Sequence, residues 1–172
     1  MVTGTGLVVR AGLVHTAAAR RLIHNLKYRG LTAAAGVLAT AMADRLEGPV
    51  AALVPVPRAV TRRLRYGIDP ARELALAVGR QRGVPVIDAL LPSLWWPRHA
   101  PREPGARRAP RFRLNVRVPG GVVLVDDVFR TGSTMAAAAG VLGVRDLSGL
   151  VATAPGTIST TDVAFLREAA QR

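Results

Sequence analysis

The sequence predicts an α/β fold in which a mostly parallel sheet carries helices on both faces. Short apolar segments of strand length alternate along the chain with segments of helical periodicity. One apolar segment, 122–125, leads through two acids and a small-residue turn into a helix, as a strand does in a βα unit. The length of 172 residues and the hydrophobic content of 49% fit one core better than two. We therefore expect a single domain over residues 1–172.

The individual elements follow from apolar spacing and from glycine and proline stops. Gly48-Pro49 ends one amphipathic helix and Gly83 ends another. The first strand region contains Gly12 and is predicted as one or two short strands. An arginine-rich loop is expected after Pro57, a proline-rich basic loop over 97–110, and a pairing of 91–96 with 84–89. The predicted strands are 7–14, 50–56, 84–89, 122–125 and 150–154, and the predicted helices are 15–27, 31–46, 70–82, 134–142 and 163–170.

Charge and composition narrow the classes of partner. The net charge of +13 comes almost wholly from arginine, since Lys27 is the only lysine, and it favours phosphate-bearing partners. An arginine-rich composition can also supply this charge without any function, and both interpretations stay open. The absence of cysteine excludes disulfides, thiol catalysis and cysteine-ligated zinc. With no signal peptide or membrane-spanning run evident, we expect a cytoplasmic protein without membrane contact.

The segment after the strand at 122–125 carries the chemistry. Asp126 and Asp127 emerge at the carboxyl end of that strand, where open α/β sheets bind their ligands. Two adjacent carboxylates repel each other, so hydroxyl groups or a cation are expected beside them, and a ribose diol with Mg²⁺ supplies both. The following residues turn into a helix, whose free amides attract a phosphate. This second group consists of Arg130, Thr131, Gly132, Ser133 and Thr134. The alternative is that the hydroxyl side chains only cap the helix and the acids only form a turn.

This motif resembles the phosphoribosyl pyrophosphate signature of type I phosphoribosyltransferases. Within that superfamily the chain looks like the competence-protein F (ComF) group. The matches are Lys27-Tyr28-Arg29-Gly30, Val54-Pro55-Val56-Pro57, Arg62-Arg63-Leu64-Arg65 with Gly67, and Asn115-Val116. The resemblance implies the type I phosphoribosyltransferase fold, with helices and a small variable hood over 1–48 and the core over 49–172.

Three features depart from the ComF pattern. The group usually begins with a cysteine-rich zinc ribbon, and this chain has no cysteine. Ile68-Asp69-Pro70 stands where a phenylalanine-asparagine-glutamine step is common, and Arg130 stands where a threonine is usual. These changes affect the region expected near the pyrophosphate, so they bear on catalysis more than on ligand binding.

The resemblance also implies roles for the site residues. Asp126 and Asp127 would bind the sugar hydroxyls, 131–134 would bind the 5-phosphate, and Mg²⁺ would bridge hydroxyls and pyrophosphate. Arg62, Arg63 or Arg65 would neutralise the departing pyrophosphate, unless they form only a solvated basic loop. Asp127 has two interpretations, a base for the incoming acceptor or a sugar ligand alone. His15 and His24 lie on the first predicted helix without metal-ligand spacing.

A second function class stays open beside phosphoribosyl transfer to a nitrogenous acceptor. Trp95, Arg98 and Arg107 could stack on bases and track the backbone of single-stranded DNA, as a non-catalytic factor in DNA uptake would. The intact acidic pair favours the enzyme, whereas the basic surface and Arg130 favour the binding factor. A homodimer is compatible with either function.

Overall fold

The computed structural model describes residues 6–29, 32–92 and 111–156. The predicted helix at 163–170 and the basic loop at 97–110 lie outside these residues. The described strands are β1 (Val9–Val14), β2 (Leu53–Pro55), β3 (Leu90–Pro92), β4 (Phe112–Leu114), β5 (Val123–Val128) and β6 (Ser148–Ala154). The described helices are α1 (Ala17–Arg29), α2 (Thr32–Ala43), α3 (Val60–Tyr66), α4 (Pro70–Arg82) and α5 (Ser133–Leu142).

Four strands form a parallel sheet in the order β1-β6-β5-β2. β5 lies between β6 and β2, with Val125 opposite Leu150 on one side and Pro55 on the other. β5 begins with three buried apolar residues, and every residue of β6 after Ser148 is buried, which is expected of strands covered on both faces. The parallel sheet and its central strand are confirmed.

Two hydrophobic layers cover the sheet because side chains alternate along β5 and β6. Val123 and Val125 pack with α1, α2 and α4, whereas Leu124 packs with α5 and with the small sheet of β3 and β4. The chain is therefore an α/β protein with helices on both faces of a parallel sheet.

The N-terminal segment that we expected in a hood contributes to the main sheet. β1 is one continuous strand that pairs with β6 over Val9–Val14. Gly12 allows this, because an added Cβ there would lie 3.0 Å from the backbone nitrogen of Met42 in α2. Helix and strand thus approach too closely for a side chain at residue 12.

Three local predictions differ from the structure. The predicted strand at 84–89 forms only a single bridge, between Val86 and Leu53, because Pro85 has no amide hydrogen to donate. β3 pairs instead with β4, antiparallel, through Leu91 and Arg113. The arginine-rich segment expected as a loop is the helix α3, which Gly67 ends at a φ of 67°.

Close packing of α4 against the segment after it gives a stability prediction. An added Cβ on Gly79 would lie 2.6 Å from the Val84 carbonyl oxygen, so the backbone must shift. We expect Gly79→Ala to lower the free energy of unfolding by about 1–3 kcal/mol despite the better helix propensity of alanine. Gly140→Ala in α5 meets open space and should raise it by about 0.5–1 kcal/mol. Urea unfolding of both variants measures the contrast, and equal stability of the two would contradict the packing argument.

Candidate functional site

The acidic pair lies at the carboxyl end of the central strand. Asp126 and Asp127 belong to β5 itself rather than to the loop after it, because β6 continues beside them, with Asp126 opposite Val151. The Asp126 Oδ1 atom accepts a hydrogen bond of 2.8 Å from the backbone N–H of Asp127. The acids therefore lie in a strand and do not form the turn that the sequence left open as the alternative to a binding site.

Lys27 reaches the acidic pair from helix α1. Its Nζ lies 2.7 Å from Asp127 Oδ2, and the two side chains keep only 23% and 14% of their surface exposed. From the sequence, Lys27 was noted as the only lysine and as part of a motif, but no role at the site was expected of it. The signal that could have singled it out is its uniqueness, since the chain has no other lysine.

The environment of Asp126 favours its protonated form. Solvent touches part of the residue, but protein atoms surround its carboxyl group. This burial and the adjacent Asp127 carboxylate raise the pKa of Asp126 from 3.8 to about 8, against the opposing effects of its hydrogen bond and of Lys27. Burial thus favours a proton on Asp126 near neutral pH, while the Asp127 side chain pairs with the Lys27 ammonium.

The turn from β5 into α5 presents backbone amides and hydroxyl groups. Gly132 precedes the helix at a φ of 76°, which favours glycine, and makes no side-chain cap hydrogen bond. The Ser133 N–H donates to Thr131 Oγ1 over a long 3.5 Å. The Thr131 and Ser133 hydroxyls lie 3.0 Å apart and are both exposed, while Thr134 is half-buried. The amides of the first turn have no partners in the helix itself, so they and the hydroxyls can donate to an anion.

His15 lies among the charges of this site, although sequence reasoning left it without a role. Its Nδ1 is 2.8 Å from the hydroxyl of Thr153, which is fully buried in β6. Burial lowers the pKa of His15, and the positive charges of Arg20, Arg130 and Lys27 lower it further, while Asp127 acts in the opposite direction. His15 is thus biased toward the neutral imidazole. No sequence spacing could reveal this, because the contact joins the two ends of the described chain.

Arg58 is a second site neighbour that sequence reasoning missed. Its backbone N–H donates to Asp69 Oδ2 at 3.0 Å, and its Nη1 donates to the Lys27 carbonyl oxygen at 3.2 Å. Its guanidinium carbon also lies 5.7 Å from the Tyr28 ring centre and 5.0 Å from that of Tyr66. Arg58 therefore holds the end of α1 against the chain that follows β2.

The other predicted site residues fall in three groups. Arg65 is exposed on α3, with its guanidinium carbon 5.4 Å from the Tyr66 ring centre, and no described contact brings it to the acidic pair. Arg62 and Arg63 lie in α3, but their side chains are outside what the structure describes. The predicted nucleic-acid residues lie entirely outside the described ranges; they are Trp95, Arg98 and Arg107.

Comparisons of the chain with protein-family models, with curated proteins and with solved structures found no match. Among residues 6–29, 32–92 and 111–156, no helix is long and apolar enough to cross a bilayer. The same residues contain no group of three or more His, Cys, Asp or Glu side chains placed to hold a metal ion. The site is therefore defined by its own geometry: an acidic pair, a covered lysine and an amide-rich helix start.

Proposed function

We propose that the chain has the type I phosphoribosyltransferase fold and binds phosphoribosyl pyrophosphate for transfer of phosphoribose to a nitrogenous acceptor. One observation carries the proposal. The acidic pair lies near the end of the central strand, and the start of α5, with its free amides, follows only a few residues later at the same edge of the sheet. A hydroxyl-binding group and a phosphate-binding group thus lie side by side, as a ribose 5-phosphate requires.

Each part of the site has a distinct task in this proposal. The oxygens of Asp126 and Asp127 accept hydrogen bonds from the ribose diol, which are strong because Asp127 is charged. The 5-phosphate lies at the start of α5, where amides and the hydroxyls of Thr131, Ser133 and Thr134 donate to it. Gly132 is buried and leaves space for the backbone to approach the phosphate oxygens.

Magnesium fits this site only together with the ligand. Burial favours a proton on Asp126, and Asp127 already pairs with Lys27, so protein groups alone offer few ligands to a hard divalent ion. The diol and the pyrophosphate would supply most of the oxygens, with Asp126 and Asp127 orienting the diol. When bound, Mg²⁺ would stabilise the negative charge of the leaving pyrophosphate.

The transfer step breaks the bond between ribose C1 and the pyrophosphate oxygen and forms a bond from C1 to the acceptor nitrogen. Positive charge develops at C1 and negative charge on the leaving group. The arginines of the segment after β2 are the candidates to bind that leaving group: Arg62, Arg63, Arg65 and also Arg58. Asp127 is paired with Lys27 in the free protein, which favours sugar binding over proton abstraction as its task.

Titration calorimetry with ribose 5-phosphate and with phosphoribosyl pyrophosphate, each with and without Mg²⁺, tests the proposal. We expect saturable binding of both compounds and a larger effect of Mg²⁺ on the pyrophosphate. Binding of neither compound by a folded protein would overturn the proposal.

A second candidate function, binding of a single-stranded nucleic acid, is favoured by one cluster. Tyr28 and Tyr66 lie with ring centres 5.0 Å apart, and Arg58 contacts both rings. Tyr28 is exposed, as are Arg65 beside Tyr66 and Arg21 on α1. Aromatic rings among arginines can stack on bases while the charges attract phosphates. Salt-dependent affinity for a single strand that falls in Tyr28→Ala and survives loss of the acidic pair would support this function.

A further inference from the structure

The chain uses lysine once. It has 24 lysine and arginine residues together, and every one except Lys27 is arginine. Against so strong a bias, the single lysine marks a position where an ammonium group does something that a guanidinium cannot. Arginine presents a rigid planar fork, whereas lysine carries a compact charge on a flexible four-carbon stem.

The position of Lys27 differs from that of the arginines in ion pairs. Arg10 pairs with Glu47 and Arg72 with Asp88 on the surface, where all four side chains are at least 36% exposed. The Lys27 pair with Asp127 is largely covered and lies in the proposed sugar site. Arg58 also donates to the Lys27 carbonyl oxygen, which ties the backbone at Lys27 to the chain after β2.

We propose that Lys27 is an exchangeable counter-ion that makes the site selective for a ribose with a phosphate group at C1. In the free protein its ammonium neutralises Asp127. When the ribose diol binds, the ammonium leaves Asp127 and binds the pyrophosphate. This inference rests on the proposed function, because it assigns the acidic pair to the diol.

The exchange follows from the relative strengths of the contacts. If a neutral hydroxyl takes the place of the ammonium at Asp127, the ammonium needs another anion. A covered charge without a partner is costly, so the replacement is unfavourable unless such an anion is near. Pyrophosphate at C1 supplies that anion next to the C2 hydroxyl, so rotation of the lysine side chain is enough. Ribose 5-phosphate has no anion at C1 and must compete with the ammonium for Asp127.

The same reasoning explains why arginine is unsuitable at this position. A guanidinium binds a carboxylate through two parallel hydrogen bonds, which occupy both oxygens that the diol needs. Its planar group also needs more space than an ammonium in a covered site. Arginine at residue 27 would therefore stay bound to the acidic pair and block the binding of both ligands.

The first experiment compares dissociation constants for phosphoribosyl pyrophosphate and ribose 5-phosphate, each with Mg²⁺, in the wild type, Lys27→Met and Lys27→Arg. In Lys27→Met we expect the preference for the pyrophosphate to fall at least tenfold, with ribose 5-phosphate binding at least as tightly as in wild type because the ammonium no longer competes for Asp127. In Lys27→Arg we expect both ligands to weaken at least tenfold. The control is Arg72→Met, which removes a surface pair and should change neither value. Equal losses for both ligands in Lys27→Met, or wild-type binding in Lys27→Arg, would overturn the exchange.

A second experiment separates this inference from the proposed function. Because Lys27 is the only lysine, ¹³C reductive methylation labels one side-chain amine, apart from the N-terminal amine, and keeps its charge. Titration with phosphoribosyl pyrophosphate and Mg²⁺ should shift this NMR signal toward its position in Asp127→Asn, whereas inorganic pyrophosphate with Mg²⁺ brings no diol to Asp127 and should leave the signal unmoved. Binding of phosphoribosyl pyrophosphate in calorimetry with an unmoved signal would overturn the exchange and leave the proposed function standing. No binding of phosphoribosyl pyrophosphate by the folded protein would refute the proposed function itself.

Discussion

Asp126→Asn combined with Asp127→Asn is expected to weaken the binding of phosphoribosyl pyrophosphate with Mg²⁺ by about 100-fold or more. In the proposed binding mode Asp127 offers a charge-assisted hydrogen bond to a ribose hydroxyl, worth about 1.5–3 kcal/mol, and the protonated Asp126 offers a neutral one worth about 0.5–1.5 kcal/mol. A loss of about 1.4 kcal/mol is tenfold in affinity. Asparagine keeps the shape of each side chain, so the start of α5 and its phosphate contacts should persist. Calorimetry measures the change directly.

The control for this double variant is Asp88→Asn, which removes an exposed carboxylate that pairs with Arg72. It should bind as the wild type does. Circular dichroism should show that the double variant is folded, because the removed carboxylates contribute little to the hydrophobic layers. Undiminished binding in a folded double variant would exclude the acidic pair as the sugar site.

The single change Asp126→Asn should stabilise the protein, and the gain should grow with pH. The folded protein holds a proton on Asp126 up to a pKa of about 8, whereas the unfolded chain loses it near 3.8. Between these values the native state binds more protons than the unfolded state, so wild-type stability falls as pH rises. Asparagine mimics the protonated acid and avoids this loss.

We expect Asp126→Asn to match the wild type near pH 4 and to exceed its free energy of unfolding by on the order of 2 kcal/mol at pH 8. One pKa unit corresponds to about 1.4 kcal/mol, and Lys27 and solvent at the sheet edge reduce the full value. Urea unfolding at pH 4, 6 and 8 provides the comparison. A pH-independent difference would show that Asp126 ionises normally in the folded protein.

Elements with local signals were predictable from the sequence. Helix α4 matches its predicted range, because Pro70 suits a first turn and Gly83 adopts the left-handed conformation that ends a helix. The β5 to α5 unit was predictable for the same reason, since its apolar run, its acids and Gly132 are contiguous. The acids, the turn and the helix start follow one another in the sequence and are also neighbours at the site.

Features that depend on distant parts of the chain were not predictable. β5 continues through Asp126 and Asp127 only because β6 pairs beside it, and no property of two acids favours a strand. α3 forms where charge indicated a loop, because an arginine-rich segment without glycine or proline has good helix propensity. The ion pair between Lys27 in α1 and Asp127 in β5 joins residues that are far apart in the sequence. Such contacts are decided by packing rather than by local pattern.

The sheet order has a consequence for how the chain folds during synthesis. β6 lies between β1 and β5, so Val9 finds its partner only when Gly149 has been made. Until then β1 has no neighbour, and the β6-facing edge of β5 stays open to other strands. Such long-range pairing slows folding and exposes nascent chains to aggregation. The chain through β6 must therefore be synthesised before the sheet can close, and strand edges that are paired in the folded protein stay exposed until then.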